Sequence, residues 1–205
     1  SVDPSQVSFS GRTQLTKGMT IAQGGDRVIA IDKVQGTIRA TKTKTAGSLT
    51  AAAPVVTGMP DVVAAVGQDG AIHAASATSK SLVSLEADNK GWKEATNTSL
   101  KLTSGTDLAI TAVGDKPVVL ERSTGILHLP EGKSVNLDVA GLALQQPGPD
   151  ADSVLVASRN ELISVPMDGG KVTRTPSSKE KSAPEGVAAQ PVRLGKCVYA
   201  AWSGS

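Results

Sequence analysis

The sequence repeats one short pattern four times at an almost constant spacing. Each copy contains an apolar pair, a turn, a second apolar pair, and then a tight turn that holds Gly or is rich in Ser and Thr. The tight turns lie at Gly36, Lys80, Gly125 and Gly170, so successive copies are 44, 45 and 45 residues apart. A unit of this length with strands inside it cannot bury its apolar surface alone, and neighbouring units must therefore pack against one another.

This period predicts an all-β fold, a β-propeller of about five four-stranded blades in a single domain that covers residues 1–205. The repeat units are predicted at residues 13–48, 49–98, 99–134, 135–185 and 186–205. Because open sheet edges are a liability, residues 6–10 are predicted to close the ring as a strand of the last blade. The alternative is that the chain is an incomplete piece of a larger propeller.

Within the units, strands are predicted where short apolar stretches lie between turn-forming residues, as on either side of Gln68-Asp69-Gly70. The main strands are predicted at residues 19–22, 27–31, 37–41, 61–66, 71–75, 82–86, 108–113, 117–121, 126–129, 153–157, 161–165, 171–175, 192–194 and 197–202. The remaining strand of each unit is placed at residues 49–56, 99–102, 135–142 and 186–189, and loops at residues 88–97, 145–151 and 176–184.

Charge and aromatic content exclude several classes of function. The net charge is only +2, which is no electrostatic footprint for a nucleic-acid partner. The four aromatic residues (one Phe, two Trp and one Tyr) offer almost no flat platforms for sugars or bases. No apolar run approaches the length of about 20 residues that a membrane-spanning helix needs.

No catalytic, cofactor or metal motif stands out in the sequence. His73 and His128 lie in different units, and their spacing to other ligand types matches no metal site, so both are interpreted as surface or core histidines. Asp32, Glu121 and Asp168 occupy nearly equivalent positions before the second turn of their units, where capping of turn amides is the simplest role. The alternative is a glycan-processing enzyme in which these carboxylates face a channel.

Two single residues carry predictions of their own. Trp92, between lysines in a polar loop, is predicted as an interaction hot spot, with packing of the loop against a blade as the other interpretation. Cys197 is the single cysteine and makes no internal disulfide. Either it is a small buried residue or its partner lies outside this sequence.

Two turns resemble degenerate copies of the quinoprotein-type propeller repeat, in which a strand that ends in Asp leads to a Thr-Gly turn. The residues are Ala30-Ile31-Asp32 with Gln35-Gly36, and Leu120-Glu121 with Thr124-Gly125. The Trp that usually locks such blades together is absent after each turn, and the cofactor-binding residues of that family are not identifiable. This resemblance implies the fold alone, and we expect no cofactor.

The two ends of the chain resemble segments of large actinobacterial envelope proteins. The matching stretches are Ser-Val-Asp-Pro-Ser at residues 1–5 and Pro-Val-Arg-Leu-Gly-Lys-Cys-Val-Tyr-Ala-Ala-Trp-Ser-Gly at residues 191–204. In that family a propeller-like extracytoplasmic region follows a membrane anchor and precedes fibronectin type III or Ig-like domains. The resemblance implies a secreted or membrane-anchored location, a longer protein, and a downstream partner for Cys197.

Together these observations predict a non-catalytic, extracytoplasmic interaction or scaffold module that binds a protein or a cell-envelope component. The prediction rests on intact repeats without a catalytic set of residues, since propeller loops form broad surfaces for partners. The alternatives are the glycan-processing enzyme and a purely structural spacer domain.

Overall fold

Four antiparallel sheets of four strands follow one another along the chain. A computed structural model describes residues 18–88, 91–103, 107–177 and 186–203. The first sheet comprises β1 (Met19–Gly24), β2 (Arg27–Asp32), β3 (Thr37–Lys42) and β4 (Pro54–Val56). The second comprises β5 (Val63–Val66), β6 (Ile72–Ser76), β7 (Ser81–Leu85) and β10 (Thr96–Ser99).

The third and fourth sheets have the same up-and-down strand order. The third comprises β11 (Leu108–Val113), β12 (Lys116–Glu121), β13 (Ile126–His128) and β14 (Ser134–Asn136). The fourth comprises β15 (Ala143–Leu144), β16 (Ser153–Ala157), β17 (Glu161–Pro166) and β18 (Thr173–Pro176). Two short 3₁₀ helices, Thr43–Ser48 and Pro130–Gly132, lie between outer strands.

The other strands form small two-stranded sheets. An accessory hairpin after β7 pairs β8 (Ala87–Asp88) with β9 (Gly91–Trp92). Near the C-terminus, β20 (Val192–Leu194) pairs with β21 (Cys197–Tyr199), and β19 (Val187–Ala188) pairs with β22 (Trp202–Ser203). The pair of β19 and β22 lies against the fourth sheet, where the Trp202 indole Nε1 donates a hydrogen bond to the Ser158 carbonyl oxygen at 2.7 Å.

The apolar core lies between consecutive sheets, because the residues of each strand alternate between two faces. Neighbouring sheets contact each other along their first strands, β1 against β5, β5 against β11 and β11 against β15. Ile29 of the first sheet packs with Ile72 of the second, and Leu120 of the third packs with Val156 of the fourth. The buried side chains of these clusters are all non-aromatic, in agreement with the low aromatic content.

Backbones of adjacent sheets approach closely at the turns that follow the first strands. A Cβ added to Gly24 would lie 2.7 Å from the Gly67 carbonyl oxygen, and one added to Gly67 would lie 3.0 Å from the Gly114 carbonyl oxygen. The same kind of contact joins the third sheet to the fourth, where Gly148 and Val113 form a parallel bridge. Small residues at this end of the sheets therefore let the sheets converge.

The tight turns that define the repeat share a backbone conformation. Gly36, Lys80 and Gly125 have φ angles of +63°, +49° and +75°. Their carbonyl oxygens accept hydrogen bonds from Met59, Leu100 and Leu137, buried residues beyond the last strand of each sheet, at 3.1, 2.8 and 3.0 Å. In the fourth copy the residue with positive φ is Gly169, one position before the predicted Gly170.

Three features differ from the sequence-based expectations. The last strand of each sheet pairs with the strands that precede it, as β4 does with β3, so the unit boundaries at 48/49, 98/99 and 134/135 fall inside sheets. Residues 88–97 are more than a loop, since β9 lies within them and β10 begins there. The described part of residues 186–205 forms two separate two-stranded sheets and not one four-stranded blade, and the closing strand predicted at residues 6–10 lies outside the described residues.

Candidate functional site

A groove of about 360 Å³ lies between the outer halves of the second and third sheets. Its floor is apolar and its walls carry hydroxyl groups. The lining residues that matter here are Leu82, Ser84, Thr98, Leu100, Lys101, Thr103, Val119, His128, Leu129, Glu131, Lys133 and Ser134. We call this feature the inter-sheet groove. Its volume is within the range of pockets that bind small ligands or side chains of a partner.

The groove walls follow from strand register. Leu82 is paired with Thr98 across β7 and β10, so both side chains point from the second sheet toward the third. On the opposite wall Val119, His128 and Ser134 form a cross-strand row over β12, β13 and β14. Because paired residues on antiparallel strands share one face, each wall presents a continuous row of side chains to the groove.

A buried carboxylate is hydrogen-bonded to a histidine in the wall of the third sheet. His128 Nε2 lies 2.8 Å from Glu121 Oε1, and the Glu121 side chain is fully buried. The Thr103 hydroxyl donates to Glu121 Oε2 at 2.8 Å, and the Thr103 backbone N–H donates to both carboxylate oxygens at 3.3 Å. The carboxylate thus ties β12 to β13 and to the segment that enters the third sheet.

These contacts keep Glu121 ionised. Burial raises the pKa of Glu121, but the hydrogen bonds from His128 and Thr103 outweigh it and hold that pKa below its usual 4.5. The carboxylate oxygens are engaged by donors of the protein, and the contact with Nε2 orients the His128 ring at the groove.

Lysines dominate the charge at the rim. Lys133 Nζ pairs with Glu131 Oε2 at 2.9 Å, and this contact lowers the pKa of the exposed Glu131. No carboxylate of the described residues forms an ion pair with Lys101. The rim therefore presents more cationic than anionic groups to a ligand.

The second histidine lies behind the other wall. His73 is buried, and its Nδ1 lies 2.8 Å from the hydroxyl of Ser84, which lines the groove. Its Nε2 has no well-oriented hydrogen-bond partner among the described residues. Desolvation lowers the pKa of His73 below 6.5, against the opposing effects of Asp69, Asp115 and Glu86. Both histidines of the chain thus belong to the interface between the second and third sheets.

The three repeat-equivalent carboxylates serve local structure. Asp32 Oδ1 accepts from the Val34 and Gln35 amides at 3.0 and 2.9 Å, and Asp168 Oδ1 accepts from the Gly170 amide at 2.9 Å. Glu121 instead accepts from His128 of its own sheet and from the side chain and backbone of Thr103 in the segment before that sheet. Within the described ranges, no group of three or more His, Cys, Asp or Glu residues is arranged to hold a metal ion.

Trp92 and Cys197 lie away from the groove. Trp92 is partly buried in the accessory hairpin, packs on the core between the first and second sheets, and has the Arg27 guanidinium 4.8 Å from its ring centre. This placement agrees with packing of the loop, and its role as an interaction hot spot stays a prediction. Cys197 is exposed, so it is not a buried small residue.

Comparison with known proteins gives a likeness of fold. No protein-family model matches this sequence, and no curated protein matches it significantly. A solved protein of unknown function from Bacteroides caccae is similar over 89% of this chain and 70% of its own length, with a TM-score of 0.50 and 14% identity. The likeness shows a shared fold only.

A second solved structure aligns over a smaller share of its length. It is PorZ, an essential bacterial surface component of the type IX secretion system of Porphyromonas gingivalis. The alignment covers 93% of this chain but 23% of PorZ, with a TM-score of 0.43 and 13% identity.

No helix of the described residues is long and apolar enough to cross a membrane.

Acidification is expected to destabilise the wild type more than the His73→Gln variant. The pKa of His73 is lowered in the folded state, so below the usual value of 6.5 the unfolded chain binds a proton that the folded chain does not. Stability is therefore lost as the pH falls through 6.5 toward the lower folded pKa. Urea unfolding at neutral and mildly acidic pH measures this, and equal pH slopes for both proteins would contradict it.

Proposed function

We propose that this chain is a non-catalytic interaction module of the β-propeller type, and that it binds an extended segment of a partner protein in the inter-sheet groove. The observation that carries the proposal is the groove itself, an apolar cavity of about 360 Å³ between two outer strands. A purely structural spacer has no need of such a cavity, whereas an apolar floor with a polar rim is the usual anatomy of a binding site.

The propeller-type arrangement is supported by four consecutive four-stranded sheets that meet along their first strands. An extracytoplasmic location, within a longer secreted or membrane-anchored protein, is supported by the resemblance of residues 1–5 and 191–204 to actinobacterial envelope proteins. An exposed Cys197 is compatible with a disulfide partner outside this sequence.

A glycan-processing activity is less well supported. Such enzymes need one carboxylic acid that stays protonated to act as general acid, which requires a raised pKa. At the groove, the pKa values of Glu121 and Glu131 are both lowered. Asp32 and Asp168 already accept hydrogen bonds from turn amides. These facts favour binding over catalysis.

Filling the groove tests the proposal. Thr98→Trp places a large side chain at the groove from an exposed position of β10, whereas Thr175→Trp makes the same change at an exposed position of β18, away from the groove. Peptides selected on the wild-type chain from an unbiased displayed library are expected to bind T175W normally and T98W at least about tenfold more weakly. The mass of the bound peptides should be unchanged after incubation, because a non-catalytic module neither cleaves nor modifies its ligand.

Two results would count against this function. If no peptide is enriched, or if the enriched peptides bind T98W as tightly as the wild type, the groove is not the binding surface. Cleavage or modification of bound peptides or of added oligosaccharides would instead favour an enzyme.

A further inference from the structure

The outer strands beside the groove lack the usual protection of a sheet edge. Proteins normally block exposed edges with Pro or charged residues. Accordingly, β4 begins with Pro54, and β18 contains Arg174 and Pro176. By contrast, β10 reads Thr-Asn-Thr-Ser and β14 reads Ser-Val-Asn, with neither Pro nor charge. The two unprotected edges are those that flank the inter-sheet groove.

β10 is suited to accept an added strand. All four of its residues are exposed, and among the described strands it pairs only with β7. Addition of a strand to an open edge gives a peptide regular backbone hydrogen bonds, while alternate side chains enter neighbouring pockets. Since Thr98 and Leu82 face the groove, alternate side chains of a strand beside β10 would point the same way, toward the floor of Leu100, Val119 and Leu129.

The charges at the groove specify the chemistry of that strand. Lys101 and Lys133 are cationic, and the one exposed carboxylate that lines the groove, Glu131, is already paired with Lys133. The Glu121 carboxylate is buried, and its oxygens are engaged by Thr103 and His128 within the protein. A ligand that brings a carboxylate gains an ion pair here, whereas a cationic ligand meets like charges.

From these observations we propose that the inter-sheet groove binds an acidic, extended segment of a partner protein, which adds to the edge of β10 with apolar side chains on the groove floor and a carboxylate near Lys101 and Lys133. This inference rests on the proposed function and names the chemistry of its partner. The recognition element is an alternating apolar, acidic, apolar pattern on one face of a strand.

Two synthetic peptides test it, acetyl-Thr-Leu-Thr-Glu-Thr-Leu-amide and the same peptide with Gln in place of Glu. They differ only in one charge, and Leu, Glu and Leu share a face when the peptide is extended. Titrated into the ¹⁵N-labelled chain, the Glu peptide is expected to shift the amide signals of residues 96–101 and 126–134 and to slow hydrogen exchange in Thr96–Ser99. Loss of a charge-assisted contact should weaken the Gln peptide roughly tenfold.

Charge reversal provides the matched variants. The double variant Lys101→Glu/Lys133→Glu is expected to lose binding of the Glu peptide, whereas Lys171→Glu, an exposed lysine outside the groove, is expected to retain it. Absence of binding by the Glu peptide, equal affinity of the two peptides, or equal losses in the groove and Lys171 variants would each overturn the inference. If library peptides bind through the groove but carry no acidic residue, the proposed function stands and this inference alone fails.

Discussion

Glu121→Ala is expected to lower the free energy of unfolding by about 3 kcal/mol or more, because several donors around a buried carboxylate lose their acceptor. The carboxylate accepts from His128 Nε2, from the Thr103 hydroxyl and from the Thr103 amide, and its side chain is fully buried. Its removal leaves these donors and the Thr124 hydroxyl, which lies 3.4 Å from Oε2, without their acceptor and opens a cavity beside β13. Urea denaturation at neutral pH measures the loss.

Glu131→Ala is the matched control for this prediction. Glu131 is also a glutamate whose carboxylate contacts a nitrogen of a neighbouring side chain, but its own side chain is 77% exposed. Exposed pairs contribute little to stability, so we expect the loss to be far smaller than that of Glu121→Ala. Equal losses in the two variants would show that the Glu121 contacts do not stabilise the fold.

Comparison of the wild type with Glu121→Ala also gives a prediction for the pH dependence of stability. The pKa of Glu121 is lowered in the folded state, so its contribution to stability is fully present above the unfolded value of 4.5 and disappears as the pH falls through the folded value. The difference between wild type and Glu121→Ala is therefore expected to be constant near neutrality and to shrink below pH 4.5. A difference that grows on acidification would reverse the assigned direction.

The inner strands could be predicted because burial imposes alternation and sharp turns on them. The predicted strands at residues 108–113, 153–157 and 192–194 agree with β11, β16 and β20, and most other bounds differ by one or two residues. The outermost strands could not be assigned in the same way. In β10 all four residues are exposed and polar, so no apolar periodicity marks them, and only pairing with β7 defines the strand.

The groove could not be predicted because it depends on which faces of two sheets meet. His73 and His128 lie at different strand positions of different units, and the sequence gives no reason to connect them. Their common interface follows from cross-strand register, which places His73 beside Ser84 and His128 beside Val119. The role of Glu121 was hidden for a similar reason. Equivalence with Asp32 indicates a turn cap, whereas the longer side chain reaches Thr103 and His128 instead.

The repeat turns give the second large effect, an expected loss of about 3 kcal/mol or more for Gly125→Ala. Gly125 has a φ of +75°, and a Cβ added there would overlap the carbonyl oxygen of Val139. Two separate costs therefore add, the left-handed backbone conformation of alanine and a collision with backbone that cannot rotate away. The Gly125 carbonyl also accepts from the Leu137 amide, so displacement of this turn disturbs the connection to the fourth sheet.

Gly141→Ala separates these two costs. Gly141 has nearly the same φ, +70°, but nothing lies within 4 Å of an added Cβ. It should lose only about 1 kcal/mol, the cost of the left-handed conformation alone. Denaturant midpoints of both variants give the comparison. A clearly larger loss at Gly125 would mean that the 45-residue period marks positions where one sheet closes on the following connection. Gly36 is another such position, since a Cβ added there would lie 2.7 Å from the Met59 carbonyl oxygen. Equal losses would mean that the period reflects turn conformation alone.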